Sequence, residues 1–466
     1  MRRKRLKWTL KFEPYQASCA FLCLLSWACG SLVGAQEQGF ALRGTLVTPD
    51  DVVEQGTVLI EGATIRDAGR EVPVPPGTRV IETGGFIYPG LIDLHNHVTW
   101  NVFPRWTAKR LFSNRYEWQQ LPEYKMALDV PHQRLVAEGL GCAMERYAEL
   151  KAVAGGATSQ AGLSASDTKP GTGTCLGGGE RELGVASRLY PGGSAEKLGY
   201  EVFPLTMDET YSAKLQDALK KHEMTALLVH LGEGKPQDAS AMEEYWILKG
   251  RGLLLPGVSL IHGSALQATE FQEMARIGVG LVWSPRSNFE LYGGTTDVAT
   301  AKRAGVRMAL APDWSPTGSD GMLEELKYAA AWNATQTPAV FGDAELVRMA
   351  TEDAAALAGV GDLVGTVKKG QRADLLVVRS SDKNPYDALP HASPADVELV
   401  VIDGRPVYGD GRILEQTAAA RQTERVQVCG VEKTVAFGGR WNETIEDLQV
   451  ALRQWGESLA PLAACQ

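Results

Sequence analysis

Four of the seven histidines and one aspartate sit where a soluble strand has little reason to carry an ionisable group. His95 and His97 close the run 91–98 (LIDLHNHV), which opens straight after Tyr88-Pro89-Gly90. His230 ends the apolar run 226–229, His262 ends 258–261, and Asp313 follows 308–312. Successive side chains on a strand alternate faces, so His95 and His97 are expected to point the same way. Two imidazoles on one face can bind one metal together. An isolated His-x-His is more often a surface or capping pair, and any one of the others has an equal reading as a satisfied core residue. Burying ionisable groups is costly unless they are paired or coordinated, and five at the ends of apolar runs point to a common site. Glu233 lies three residues past His230, in His-Leu-Gly-Glu. Alone it reads as a solvated loop glutamate. Above a metal it can take a proton from an activated water and pass it to a leaving group. His132, His222 and His391 lack this setting and read as structural or surface residues.

The elements that must carry these residues alternate short apolar runs with amphipathic helical stretches, the pattern of a parallel sheet with crossover helices. Candidate strands are 91–98, 157–161, 183–188, 227–230, 258–262, 279–283 and 306–311. Candidate helices are 132–154, 211–221, 268–277, 296–304, 323–331 and 345–357. That is close to eight strand–helix units in about 270 residues, the size of a (β/α)8 barrel, whose active sites lie at the C-terminal strand ends. Flanking it, residues 37–90 and 365–408 hold short β-like runs, and such terminal segments can pair into one domain. The resulting division is a signal peptide at 1–35, β-sandwich segments at 36–90 and 362–412, a barrel at 91–361 and an extension at 413–466. The extension holds a strand-like stretch at 425–437 and a helix-like one at 443–459. The glycine-rich segment 171–179 lacks the Gly-Lys-Ser/Thr of a phosphate loop and reads as a loop over the barrel mouth. Trp100, Phe103, Trp106, Tyr116 and Trp118 could wall a flat substrate or pack as a lid.

Composition narrows the partners. The chain of 466 residues is 44% hydrophobic and 22% charged, ordinary for a globular protein, with net charge −9. Six basic residues crowd the first eleven positions, followed by an apolar stretch at 19–35 ending Val33-Gly34-Ala35. This is the pattern of a secretory signal peptide, and a run of this length is short for a membrane span. Export to the periplasm or the medium is therefore expected, with no stable membrane insertion after cleavage and the mature chain starting near Gln36. The body beyond it, at net −14 after six basic and one acidic residue leave, is a poor match for nucleic acid or an anionic membrane. Cys142, Cys175, Cys429 and Cys465 remain, with no Cys-x-x-Cys pair. An even number permits two disulfides in an exported protein, and Cys429 with Cys465 is the favoured pair.

Several motifs together resemble the amidohydrolase superfamily over residues 40–412: PGLIDLHNH (89–97), VHLGE (229–233), IHGSA (261–265), WSPRSN (283–288) and APDWSPTGSDGMLEELK (311–327). The resemblance implies a distorted TIM-like (β/α)8 barrel with a small β-sandwich domain built from N- and C-terminal segments. Ser-Pro-Arg-Ser-Asn and His-x-x-Glu are similar to the cytosine deaminase and triazine hydrolase branch. That likeness implies one divalent metal held by His95, His97, His230 and Asp313, with Glu233 and His262 contacting water and substrate. The segment around Asp313 departs from that branch, which leaves the substrate open. Histidines plus one carboxylate suit zinc, with iron and manganese also open. Two-metal members carry a bridging lysine or glutamate on the fourth strand, and no lysine ends an apolar run between Arg188 and Leu227. The expected activity is hydrolysis of a carbon–nitrogen bond of a small molecule, with Glu233, His262 and Asp313 handling water and protons. A two-metal dipeptidase or cyclic-amide hydrolase, or an inactive metal-binding barrel, is the alternative. A homo-oligomer is compatible with the sequence.

Overall fold

The period-2 apolar runs near the N-terminus fold as strands β1 (Phe40–Val47), β2 (Val52–Glu61), β3 (Thr64–Gly69) and β4 (Arg79–Pro89). The computed structural model describes residues 39–48, 51–162, 175, 181–182, 197–417 and 423–465. The expected signal peptide and the candidate strand 183–188 lie outside the described residues, as does the glycine-rich segment apart from Cys175.

Eight short parallel strands follow, β5 (Leu91–Asp93), β6 (Ala157–Gln160), β7 (Arg181–Glu182), β8 (Lys197–Glu201), β9 (Met224–Leu231), β10 (Val258–His262), β11 (Gly280–Trp283) and β12 (Met308–Leu310). They form two arcs, β5-β6-β7 and β8-β9-β10-β11-β12. A parallel bridge between Asn96 and Asp313 joins the ends of the first and last strands. The fold is α/β, with a TIM-like parallel barrel beside a β-rich sheet. Both faces of these strands are buried, so they read as nearly continuous apolar runs. Ile92, Leu94, Ala226, Leu228, Ile261, Val282 and Ala309 fill the interior, while Leu91, Leu227, Val229, Leu260 and Leu281 join the outer core.

The chain then returns as β13 (Leu375–Val378), β14 (Val397–Ile402), β15 (Arg405–Gly409), β16 (Glu424–Val428) and β17 (Val431–Val435). One nine-stranded sheet results, in the order β16-β17-β15-β14-β13-β4-β1-β2-β3. Strand β4 pairs with β13, Ile87 opposite Val377, and runs through Gly90 directly into β5. A Cβ on Gly90 would meet Thr158 Cγ2 at 2.2 Å, so only glycine fits between sheet and barrel. The strand-like stretch near the C-terminus is a hairpin, turned at Cys429 and Gly430, both at positive φ. It lengthens the sheet. Lys433, fully buried there, donates to Ala395 O, Val397 O and Asp410 Oδ1 at 2.8, 2.8 and 2.6 Å. The helix Trp441–Gln454 packs on the helix Gly141–Ala154.

Several local expectations change. The expected strand 91–98 stops at Asp93, whose carboxylate accepts His95 N–H at 2.9 Å and Asn96 Nδ2–H at 2.6 Å, bending the chain into an Asx-type turn. The expected helix 132–154 is two, Val130–Ala137 and Gly141–Ala154, parted by Gly139 at φ 81°. The expected helix 345–357 is likewise two, Asp343–Met349 and Glu352–Leu357, broken at the non-helical Thr351. Strand β8 (KLGYE) carries too little apolar periodicity to be seen in sequence, as do the helices Ala239–Gly250 and Pro285–Tyr292.

Cys429 pairs with Cys465 as favoured, and Cys142 pairs with Cys175. The first pair ties the hairpin to the chain end, 36 residues apart. Removing it with Cys429→Ser and Cys465→Ser should lower unfolding stability by about 2–4 kcal/mol, read by denaturant titration. An unchanged midpoint would show that the sheet alone holds the extension.

Candidate metal centre

Every ionisable residue singled out at an apolar run's end lies at the C-terminal mouth of the barrel. His95 and His97 occupy the turn after β5, His230 is in β9, His262 ends β10, and Asp313 comes three residues after β12. His230 shares the inward parity of Ala226 and Leu228. His262 follows the inward Ile261, so strict alternation would turn it out of the barrel. Its φ of 68° breaks the extended run at that point, and Asp313 likewise has φ 67°. Left-handed backbone is uncommon outside glycine and persists when its surroundings over-determine it. Here Thr296 Oγ1–H donates to His262 O at 2.6 Å, and Asp313 N–H donates to His95 O at 3.0 Å. His95 and His97 converge through the Asp93 turn rather than through strand alternation.

Four side-chain atoms gather in the barrel mouth. His230 Nε2 lies 3.0 Å from His95 Nε2 and 3.3 Å from His97 Nε2. Asp313 Oδ1 lies 3.2 Å from His95 Nε2 and 3.5 Å from His97 Nε2. Ligands about 2.0–2.1 Å from a tetrahedral zinc are about 3.3 Å from each other, and these four separations match that spacing. The outer nitrogen of His230 fixes its tautomer. His230 Nδ1 lies 3.2 Å from the carbonyl of Glu201, which can only accept, so the proton is on Nδ1 and the Nε2 lone pair faces inward. Ser284 Oγ sits 2.7 Å from His95 Nδ1 and can do the same for it. Burial first, then the neighbouring imidazoles, holds His95 and His230 well below the usual histidine range. Burial also lowers His97, against the pull of Asp313, and raises Asp313, against the pull of His97. Neutral imidazoles are the form that binds a metal.

His262 also reaches this cluster, with a ligating atom within 4.8 Å of those of His95 and His230. Its Nδ1 is 2.9 Å from Asn288 Oδ1, an acceptor, which leaves Nε2 facing the site. Glu233 Oε2 is 3.6 Å from that Nε2. Its other oxygen, Oε1, accepts the Tyr292 hydroxyl at 2.6 Å, and Trp118 Nε1–H donates to the same hydroxyl at 2.8 Å. Burial, then the Glu233 charge, pushes the Tyr292 hydroxyl well above its ordinary value, so it remains a donor.

These groups open onto a cavity of about 360 Å³, of small-molecule size. Trp100 and Trp118 line it, joined by Tyr124, Tyr200, Phe203 and Trp314. Phe103 and Trp106 pack behind that wall, and Tyr116 hydrogen-bonds Glu244 instead. Of the histidines set aside in sequence, His132 is buried behind the wall, stacked on Trp100 with ring centroids 4.0 Å apart. His222 and His391 are exposed. Several residues around the site had no role from sequence. Ser284 and Asn288 lie inside WSPRSN, and Tyr292 follows Asn288 by one helical turn, so the face of that helix was available as a signal. Arg115, a lone arginine in a polar stretch, carried none.

Residues 194–408 match the Amidohydrolase family. Over that segment, which is under half of the chain, the protein resembles the amidohydrolase superfamily. It is 26% identical over 421 residues to a 5-methylthioadenosine/S-adenosylhomocysteine deaminase of Desulforudis audaxviator, covering 82% of this chain and 95% of that protein. It is 23% identical over 402 residues to a 5'-deoxyadenosine deaminase of Methanosarcina mazei, covering 78% and 90%. Among solved structures, a zinc-bound adenosine deaminase from Xanthomonas campestris superposes with TM-score 0.63 at 19% identity, covering 79% of this chain and 92% of that one. An atrazine chlorohydrolase mutant from Arthrobacter aurescens, complexed with zinc and atraton, gives TM-score 0.63 at 18% identity, covering 79% and 95%. The fourth barrel strand, β8, sends Tyr200 into the cavity, its hydroxyl donating to Asn96 O at 2.9 Å. The Glu201 carboxylate accepts instead from Tyr211, at an exposed position.

His95→Ala and His97→Ala each delete one of the four converging side chains that would hold a metal ion. Both should lose most of the bound zinc measured by elemental analysis after dialysis, and Ser284→Ala should weaken zinc binding about 10–100-fold. Wild-type zinc content in both histidine variants would contradict the assignment.

Proposed function

We propose that this protein is an exported, one-metal hydrolase that cleaves a carbon–nitrogen bond of a small, flat molecule. The observation that carries this reading is the convergence of His95, His97, His230 and Asp313 beside a buried carboxylate that points at the same spot. Zinc is the ion that best suits three imidazoles and a carboxylate. The zinc-bound solved neighbours support that choice. The curated relatives support deamination as the reaction type, since they are named as adenosine-type deaminases. The fourth strand turns Tyr200 into the cavity and leaves its Glu201 carboxylate on Tyr211, which supports one metal.

A divalent metal held by these four residues supplies Lewis acidity and a lowered water pKa. The chain's own residues do the rest. Glu233, aimed by the Tyr292 hydroxyl, accepts a proton from the attacking water and returns it to the departing nitrogen. His262, held by Asn288, presents Nε2 to the water or to the developing oxyanion. Asp313 combines a ligand's position with capacity for a proton. The aromatic wall excludes water from the substrate's ring and orients its plane.

Export is supported by the basic and apolar segments before Gln36 and by two disulfides that pair all four remaining cysteines. No helix among the described residues is long and apolar enough to cross a membrane. N-terminal sequencing of the exported protein should begin near Gln36, and retention of residues 1–35 would reject cleavage.

Zinc-loaded protein assayed for ammonia release on purine nucleosides and aminotriazines, and for ring opening of cyclic amides, should turn over at least one of them. Glu233→Gln keeps the shape and should keep the metal, while turnover of that substrate falls by about 10²–10⁴-fold. Wild-type turnover in the variant would move the proton shuttle to another group, Asp313 first. Loss of metal would make Glu233 a ligand.

A further inference from the structure

Barrel strands β12 and β5 share no hydrogen-bonded ladder among the described residues, and the parallel bridge between Asn96 and Asp313 joins them. This seam separates the segment carrying His95 and His97 from the one carrying Asp313. Asn101, buried at 7% exposure in the short 3-10 helix Val98–Val102, spans it. Its Oδ1 accepts the Ser315 N–H at 2.8 Å and the Ser315 hydroxyl at 3.1 Å, two residues past Asp313. Its Nδ2–H donates to Oδ1 of Asn96, the residue between the two histidines, at 2.7 Å. Asn96 Nδ2–H donates in turn to Asp93, whose carboxyl makes the turn that redirects both histidines. The direction of this relay is fixed at one end. A backbone N–H can only donate, so Ser315 demands the oxygen of Asn101 and leaves its amide nitrogen for Asn96. Buried Lys151 reinforces the strap, donating to Asp320 Oδ1 at 2.7 Å and to Asn101 O at 3.4 Å.

We infer that Asn101 is a positioning residue: by tying Ser315 to Asn96 across the seam, it sets Asp313 at ligand distance from His95 and His97. The inference rests on the one-metal reading of the same four side chains. A single bridge leaves the register of the two segments to side chains. Asp313 also sits in left-handed backbone, φ 67°, which persists where its surroundings over-determine it. The two Asn101 bonds to Ser315 supply one such restraint, and the Asp313 N–H bond to His95 O at 3.0 Å supplies another. Asn101 bonds Ser315 and Asn96 rather than any of the four ligating atoms, so its effect runs through the two segments. Groups that orient metal ligands typically contribute about 10–100-fold to metal affinity.

Zinc dissociation constants of the full chain, measured by competition with a chromophoric chelator, test this without a substrate. Asn101→Asp keeps the volume and the acceptor for Ser315 N–H, and its carboxylate lacks the donor to Asn96. Asn101→Ala removes both links. Each should raise the dissociation constant about 10–100-fold. In an Asp313→Ala background the same changes should shift it by less than about twofold, because the side chain they position is gone. In a His230→Ala background, which keeps Asp313, the loss of about 10–100-fold should return. An equal loss in the two backgrounds, or no loss in the otherwise wild-type chain, would overturn the role of Asn101 alone. So would unfolding of the metal-free chain by both changes, read by circular dichroism, since Asn101 would then be structural. Failure of the wild-type chain to bind zinc would overturn the metal reading, and this inference with it.

Discussion

Three imidazole nitrogens and a carboxylate oxygen, brought to within 3.0–3.5 Å of their neighbours, set the terms for the rest of this molecule. The outer hydrogen bond of His230 turns its lone pair toward the other three atoms, an arrangement that repels itself unless a cation takes the centre. Nothing in hydrophobic folding would select such a cluster. Burial makes it costlier still, because the imidazoles are held neutral and the aspartate is desolvated. The gain on binding a divalent ion is correspondingly large, since the barrel has already removed the competing water and fixed the His230 tautomer.

The architecture serves that convergence. A parallel barrel delivers strand ends to one face, but its pleat sends only every second side chain inward. Three of the site residues depend on local departures from the pleat. The Asp93 turn redirects His95 and His97, and left-handed backbone at His262 swings an otherwise outward side chain to the mouth. The nine-stranded sheet continues through Gly90 into the strand that precedes the two histidines, so its rigidity is passed to the site. The C-terminal hairpin, anchored by buried Lys433, lengthens this same sheet.

Much of the site was legible because chemistry left a contradiction in the sequence: ionisable residues ending apolar runs. His95, His97, His230, His262 and Asp313 were found that way and Glu233 by its place three residues past His230, and the structure brings all six together. His95 and His97 converge through the Asp93 turn and not through alternation along a strand. Arg115 and Tyr200 were illegible because neither breaks a pattern in its own segment. Their roles come from partners over a hundred residues away, Glu244 and Asn96 respectively. Tyr292 is an intermediate case, visible only once the segment after β11 is known to be a helix. In the fold, the barrel followed from the alternation of runs. Strand β8 and the helix Pro285–Tyr292 were missed where tertiary contacts outweigh weak local periodicity.

The central claim is that these four residues hold one metal. Zinc K-edge X-ray absorption on the dialysed, zinc-loaded chain tests it directly. The account predicts one zinc per chain, a first shell of nitrogen and oxygen at about 2.0–2.1 Å with the multiple-scattering signature of about three imidazoles, and no metal–metal scattering. A sulfur shell at about 2.3 Å, a metal neighbour at about 3.5–4 Å, or a shell without imidazole would contradict it.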